Sequence, residues 1–207
     1  MKLIKLLVLS ALAFSVSGGV YAADDMQAKV KEYIEGGFHK GDNQDPKRLE
    51  QDETLKICSE TRGKPSGDQA KAIMEREKAT IQYPKSGVLM GNWEKGKKAF
   101  TDGFAMRIGR YEPDAPDKVR GGNCYACHAA DPKELAAGNL GTSLRGYGKI
   151  RGNTWDTVKY TYDKIYNAQS IIPCSNMPRL GHNGVLSPEQ IADIVSFLVD
   201  PASPVNK

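Results

Sequence analysis

Apolar residues near the end of the chain recur with the period of a helix. Ile191, Ile194, Val195 and Leu198 fall on one face, which predicts an amphipathic helix packed through that face. Its ends are marked as well. Ser187 is placed to cap the first turn, Pro188 suits the first helical position, and Pro201 stops the run. A second helix is expected over residues 92–100, where Trp93, Gly96 and Phe100 repeat at spacings of three and four. A glycine inside a helix costs about 1 kcal/mol, so Gly96 makes sense only where another backbone passes close by.

Residues 24–82 read as three further helical segments. Met26, Val30 and Ile34 form a narrow stripe ending at Gly36 and Gly37. A segment opened by Asp45 and Pro46 carries Leu49, Leu55, Ile57 and Cys58, and a third, opened by Ser66, Gly67 and Asp68, carries Ala70, Ile73, Glu77 and Ile81 and stops at Tyr83 and Pro84. Faces this narrow need cover, either from the rest of the chain or from a partner subunit. Residues 83–87 are the expected hinge. The pattern thus predicts an all-α protein, with a helical N-terminal extension over 23–87 and a main domain over 88–207.

The first 22 residues form a different pattern. Lys2 and Lys5 precede an apolar run that ends in small residues, as a secretory signal cut after Ala22 or Ala23 does. Serines and glycines interrupt the run, which falls short of the ~20 apolar residues that span a bilayer. The remaining chain of about 185 residues suits one domain with an extension. Losing Lys2 and Lys5 halves the formal net charge of +4. Neither nucleic acid nor a membrane surface is expected as a partner of the mature chain.

Four cysteines in an exported chain point to oxidising surroundings. Two of them lie in Gly122-Asn123-Cys124-Tyr125-Ala126-Cys127-His128. A zinc site would need a second ligand pair, and His39 and His182 are the only other histidines. A redox dithiol would need a strand-rich α/β setting, which the polar, Gly- and Pro-containing sequence before Gly122 lacks. C-x-x-C-H is also the signature of c-type haem attachment. In that reading Cys124 and Cys127 form thioethers to one haem c and His128 ligates the iron from the proximal side. A covalent macrocycle would also supply much of the apolar surface that a domain of about 110 residues needs to bury.

A His-ligated haem has one axial position left. Met177 is the only methionine after His128, in a loop bracketed by Pro173 and Pro178, and it is the expected distal ligand. His182, five residues on, is its rival, and its plain reading is a loop histidine between Gly181 and Gly184. His39 is expected to be exposed. Cys174 stands three residues before Met177. Its thiolate is itself a possible haem ligand, while a disulfide to the other leftover, Cys58, would tie the extension to the methionine loop and stabilise it by about 2–4 kcal/mol.

The helix around Gly96, the C-x-x-C-H segment and the last helix together resemble the class I cytochrome c fold from about Gly91 to Pro201. Gly96 and Phe100 match its first-helix glycine and aromatic. Gly141-Thr142-Ser143-Leu144 falls where that fold commonly has Gly-Pro-x-Leu, whose proline carbonyl orients the proximal histidine; here Thr142 replaces the proline. More narrowly, GGNCYACH, GNLGTSLRGYG, PCSNMPRLGHNG and SPEQIADIVSFLVDP are similar to the SoxX family, the one-haem subunits of periplasmic SoxAX cytochromes. That resemblance implies an electron-transfer subunit of an L-cysteine S-thiosulfotransferase, partnered by a SoxA-like haem subunit. It would act on a SoxYZ-like carrier and pass electrons to a small soluble cytochrome c, with Cys124, Cys127, His128 and Met177 in the roles above. A free-standing class I electron shuttle and a haem-free thiol–disulfide oxidoreductase are the alternatives.

Overall fold

The structure, a computed structural model, describes residues 23–37, 49–105, 115 and 118–207. The signal expected over 1–22, the expected start of the second segment at Asp45 and Pro46, and His39 lie outside the described residues. Seven α-helices and several short 3-10 turns, with no strand, make up the described residues. Helix α1 (Ala23–Gly37) belongs to one compact unit and every later element to a second. On α1 the expected stripe residues Met26 and Val30 are exposed, as is Tyr33.

In the second unit, α2 spans Glu53–Glu60 and α3 spans Gly67–Lys78. Both begin where a side chain satisfies a free amide of the first turn. The Asp52 carboxylate accepts from the Leu55 N–H at 2.8 Å. Ser66 and Gln69 form a reciprocal capping box. The third segment ends earlier than its stripe suggests, because the chain turns after Lys78 and the Thr80 hydroxyl bonds back to the Glu77 carbonyl at 2.7 Å. Ile81 reaches the core from this turn rather than from a helix.

The main core is built on the crossing of α4 (Trp93–Thr101) and α7 (Pro188–Val199). The Gly91 N–H donates to the Ala192 carbonyl at 3.1 Å and the Ser196 hydroxyl to the Gly91 carbonyl at 3.0 Å. At Gly96 the two backbones come so close that a β-carbon would overlap the Asp193 carbonyl. The expected close approach is what this glycine serves. Phe100 packs on Phe197 and edge-on against Tyr125, with ring centres at 5.2 and 4.9 Å, and Ile191, Val195 and Leu198 complete the buried face.

Two helices lie beyond the expected ones. Helix α5 is the short Tyr147–Arg151, and α6 runs over Trp155–Tyr166 behind the Thr154 cap. Val158, Tyr162, Ile165 and Tyr166 bury its inner face. The 83–87 segment, expected as a hinge, is tied to this helix. The Tyr83 hydroxyl donates to Asp163 at 2.9 Å, and the Tyr162 hydroxyl donates to the Gln82 carbonyl at 2.7 Å. The expected extension is therefore divided, with α2 and α3 in the same compact unit as α4–α7.

Candidate functional site

The haem-motif segment starts from Asn123, whose left-handed backbone (φ 47°) turns the chain into a 3-10 turn over Cys124–Ala126. Asparagine tolerates that region better than most residues. The Cys124 carbonyl then accepts from both the Cys127 and the His128 amides, at 3.1 and 2.8 Å. The loop that follows folds back onto this turn. Gly141 N–H donates to the Cys127 carbonyl at 2.8 Å and Leu144 N–H to the Ala129 carbonyl at 2.7 Å.

That fold-back places the Thr142 carbonyl 2.7 Å from His128 Nδ1. A carbonyl only accepts, so Nδ1 carries the proton and the Nε2 lone pair is left as the ligating atom. Holding the far nitrogen fixes the tautomer and the ring plane of a metal-ligating histidine. The replacement of proline by threonine at 142 thus leaves the orienting carbonyl in place. Gly141 is required for a separate reason, because a β-carbon there would run into the His128 ring.

His128 and Cys124 face a cavity of about 120 Å³ whose apolar walls include Phe100, Leu144, Ile194 and Leu198. Met177 also lines it, so the expected distal residue and two of the three motif residues share one space. Cys127 is on the adjoining turn and does not line it. Burial, reinforced by the neighbouring Cys127, pushes the Cys124 thiol up to about 12. A catalytic dithiol needs a depressed thiol pKa, the opposite of the direction at Cys124.

The methionine loop is held from outside the cavity. Cys58 on α2 and Cys174 form a disulfide, with their α-carbons 5.3 Å apart and 116 positions between them in sequence. Two residues past Met177, the buried Arg179 donates to Glu77 at 3.1 Å and to Asp52 at 2.6 Å. Glu77 is only 2% exposed, and Thr54 and Asn167 also donate to its carboxylate, Asn167 at 2.7 Å. Burial pushes the Glu77 carboxyl up, but these hydrogen bonds and the Arg179 charge outweigh it and hold the group below its ordinary 4.5. Desolvation likewise works against Asp52, and the Leu55 amide and Arg179 overcome it.

His182 belongs to this outer network. It does not line the cavity, and its Nε2 lies 4.0 Å from Asp52 Oδ2. Burial, and then the Arg179 charge, lower its pKa.

A cationic residue that sequence reasoning missed also lines the cavity. Lys164, on α6, has an ammonium nitrogen shielded from solvent with no hydrogen-bond partner among the described residues. Burial depresses its pKa. One thiol in the cavity and a second on the adjoining turn, an oriented imidazole, a thioether and an unpartnered cation among apolar walls suit a covalently bound haem, whose ring is apolar and whose carboxylates are anionic. Among the described residues no group of three His, Cys, Asp or Glu is placed to hold a metal ion by itself. Nor is any described helix long and apolar enough to cross a membrane.

The sequence profile of the cytochrome c family matches residues 93–200, more than half of the chain. The chain belongs to the cytochrome c family, with its all-α, class I cytochrome c-like fold, and the family implies a covalently attached haem c. An uncharacterized lipoprotein of Aquifex aeolicus (strain VF5) is 44% identical over 160 residues, which is 76% of this chain and 73% of that one. Among solved structures, the crystal structure of SoxXA from P. pantotrophus aligns at a TM-score of 0.40 with 22% identity, over 59% of this chain and 90% of that one. A likeness that loose carries no weight for function.

Proposed function

We propose that this chain is the one-haem, electron-accepting subunit of a periplasmic SoxAX-like L-cysteine S-thiosulfotransferase. The observation that carries the electron-transfer reading is the meeting of Cys124, His128 and Met177 at one apolar cavity, with the imidazole already oriented by Thr142. The narrower assignment rests on the sequence stretches around Cys124, Gly141, Met177 and Ile191 that resemble the SoxX family. A lipoprotein among the relatives supports a location outside the cytoplasm.

When bound, haem c supplies a centre that takes up and releases one electron at a time. Cys124 and Cys127 would hold it by thioether bonds, and His128 Nε2 and the Met177 sulfur would be the donors to its iron. Met177 is favoured over His182 because it lines the cavity and His182 faces Asp52 instead. Thioether ligation raises the potential, which suits an acceptor. With two donors from the chain, such a haem would carry electrons and leave substrate chemistry to a partner subunit. The haem-binding domain is residues 88–207, and of the expected extension α2 and α3 brace its methionine loop.

The reaction served by such a subunit joins the terminal sulfur of thiosulfate to a cysteine thiol of a SoxYZ-like carrier. One S–S bond forms, the thiol proton leaves, and two electrons are released. They pass one at a time through a SoxA-like subunit to this chain and on to a small soluble cytochrome c. Mixing the holoprotein with a SoxA-like subunit, the carrier and thiosulfate tests this, with haem reduction followed by absorption. Reduction is expected only when partner and carrier are both present. Rapid reduction of the isolated chain by thiosulfate contradicts the assignment, and failure to associate with any second haem subunit returns it to a free-standing shuttle.

A further inference from the structure

Charge is distributed unevenly around the cavity. Lys164 and Arg151 both line it, and no aspartate or glutamate does. The other lysine on the same helix shows what a satisfied ammonium looks like: Lys159 Nζ lies 2.5 Å from Asp163 Oδ2 and 2.7 Å from the Tyr83 hydroxyl. Asp163 is occupied by those two partners, and Tyr160, one turn back from Lys164 on the same helix, is not an acid. Arg151 packs over the Tyr147 and Tyr160 rings, at 5.4 and 5.8 Å, and has no carboxylate partner among the described residues.

A buried ammonium without a partner is costly to keep. Placing an anion at that end of the cavity removes the penalty and strengthens the pair in a low-dielectric setting. We propose that Lys164 is the counter-ion of a haem carboxylate, with Arg151 completing a cationic rim on the α5–α6 side of the cavity. This rests on the haem reading above and goes beyond it by assigning the residue that fixes the charge of the porphyrin edge. The ammonium keeps the carboxylate ionised and offsets its field at the iron. The chain's reduction potential is therefore insulated from pH over the range in which a free carboxylate in an apolar site would take up a proton.

The test uses holoprotein of wild type, Lys164→Met, Lys164→Gln and Lys164→Arg, with covalent haem quantified as the pyridine haemochrome. Reduction potentials are then measured from pH 5 to pH 8. The wild type and Lys164→Arg are expected to be flat across this range. Lys164→Met and Lys164→Gln are expected to fall by a factor of about ten in the one-electron reduction equilibrium at the alkaline end, about 59 mV, and to recover toward acid as the carboxylate protonates. Resonance Raman bands of the carboxylate side chains should shift in the same two variants. Neutral variants that keep the wild-type potential and Raman bands, with haem fully loaded, overturn this inference alone. A wild type without covalent haem overturns both it and the function proposed above. Because removing an unpaired buried charge does not weaken folding, loss of haem confined to Met and Gln, with Arg loading normally, supports the pairing.

Discussion

The His128 side and the Met177 side of the cavity are held by different means. On the His128 wall, position is set by short-range backbone bonds: the ring is oriented by a carbonyl 14 residues away, and the turn before it by amides of its own segment. On the Met177 wall, position is set by contacts reaching 102 residues to Glu77, 116 to Cys58 and 127 to Asp52. A ligand held locally forms with its own loop. One held at long range depends on the whole second unit folding around it, so the methionine wall is the one that mutations and pH should loosen first.

The largest effect is expected from Arg179→Ala. It leaves a buried carboxylate without its charge partner, and breaking such a pair costs about 3–5 kcal/mol. Thr54 and Asn167 still donate to Glu77, which places the loss near the lower end. Denaturant unfolding of the holoprotein measures it. Replacing Cys58 and Cys174 together by alanine should cost about 2–4 kcal/mol and allow added imidazole to displace Met177 at lower concentration, with the His128 bond intact. Gly141→Ala is the matching cut on the other wall. Forcing a methyl group against the His128 ring should cost about 1–3 kcal/mol and alter the Soret band while the methionine signal survives. Thr142→Pro should be the mildest, within about 1 kcal/mol, because the carbonyl that holds His128 is retained and the Thr142 amide makes no backbone hydrogen bond that would be lost. If Gly141→Ala proves more disruptive to methionine ligation than the disulfide variant, the comparison fails.

Acid sharpens the same contrast. Glu77 titrates below its ordinary 4.5 in the folded chain, despite burial, because of its hydrogen bonds and Arg179. A carboxyl with a depressed folded pKa contributes stability that is fully present above the unfolded value and is lost as pH falls through the folded one. The methionine wall should therefore loosen progressively below about pH 4.5, and Glu77→Gln should flatten that loss. Circular dichroism melts between pH 3 and pH 6 check it.

What the sequence made legible follows the same division between local and distant. Ser187, Pro188 and Pro201 bound α7 as expected, since caps and stops act on their own turn. Gly96 signalled a backbone crossing because a helix interior otherwise disfavours glycine. The Cys58–Cys174 disulfide was legible from the count of leftover cysteines. Glu77, by contrast, stood in an apolar stripe as its one acid, a sign of a buried partner, but nothing in the sequence pointed 102 positions ahead to Arg179. Helix α6 carried Val158, Tyr162 and Ile165 at helical spacing behind the Thr154 cap, yet its threonines and tyrosines are weak helix formers, and packing makes the helix. Lys164 lay on that unread helix. The second segment showed its start at Asp52 only once the Leu55 amide was seen to need an acceptor.

Met177 is expected to share one haem iron with His128. The direct measurement is the absorption spectrum of the oxidised holoprotein for wild type, Met177→Ala and His182→Ala. A weak sulfur-to-iron charge-transfer band at the red edge, present in wild type and in His182→Ala and absent from Met177→Ala, is the predicted result. A wild type without that band, with a spectrum that changes only in His182→Ala, would put histidine on both faces of the iron and contradict the account.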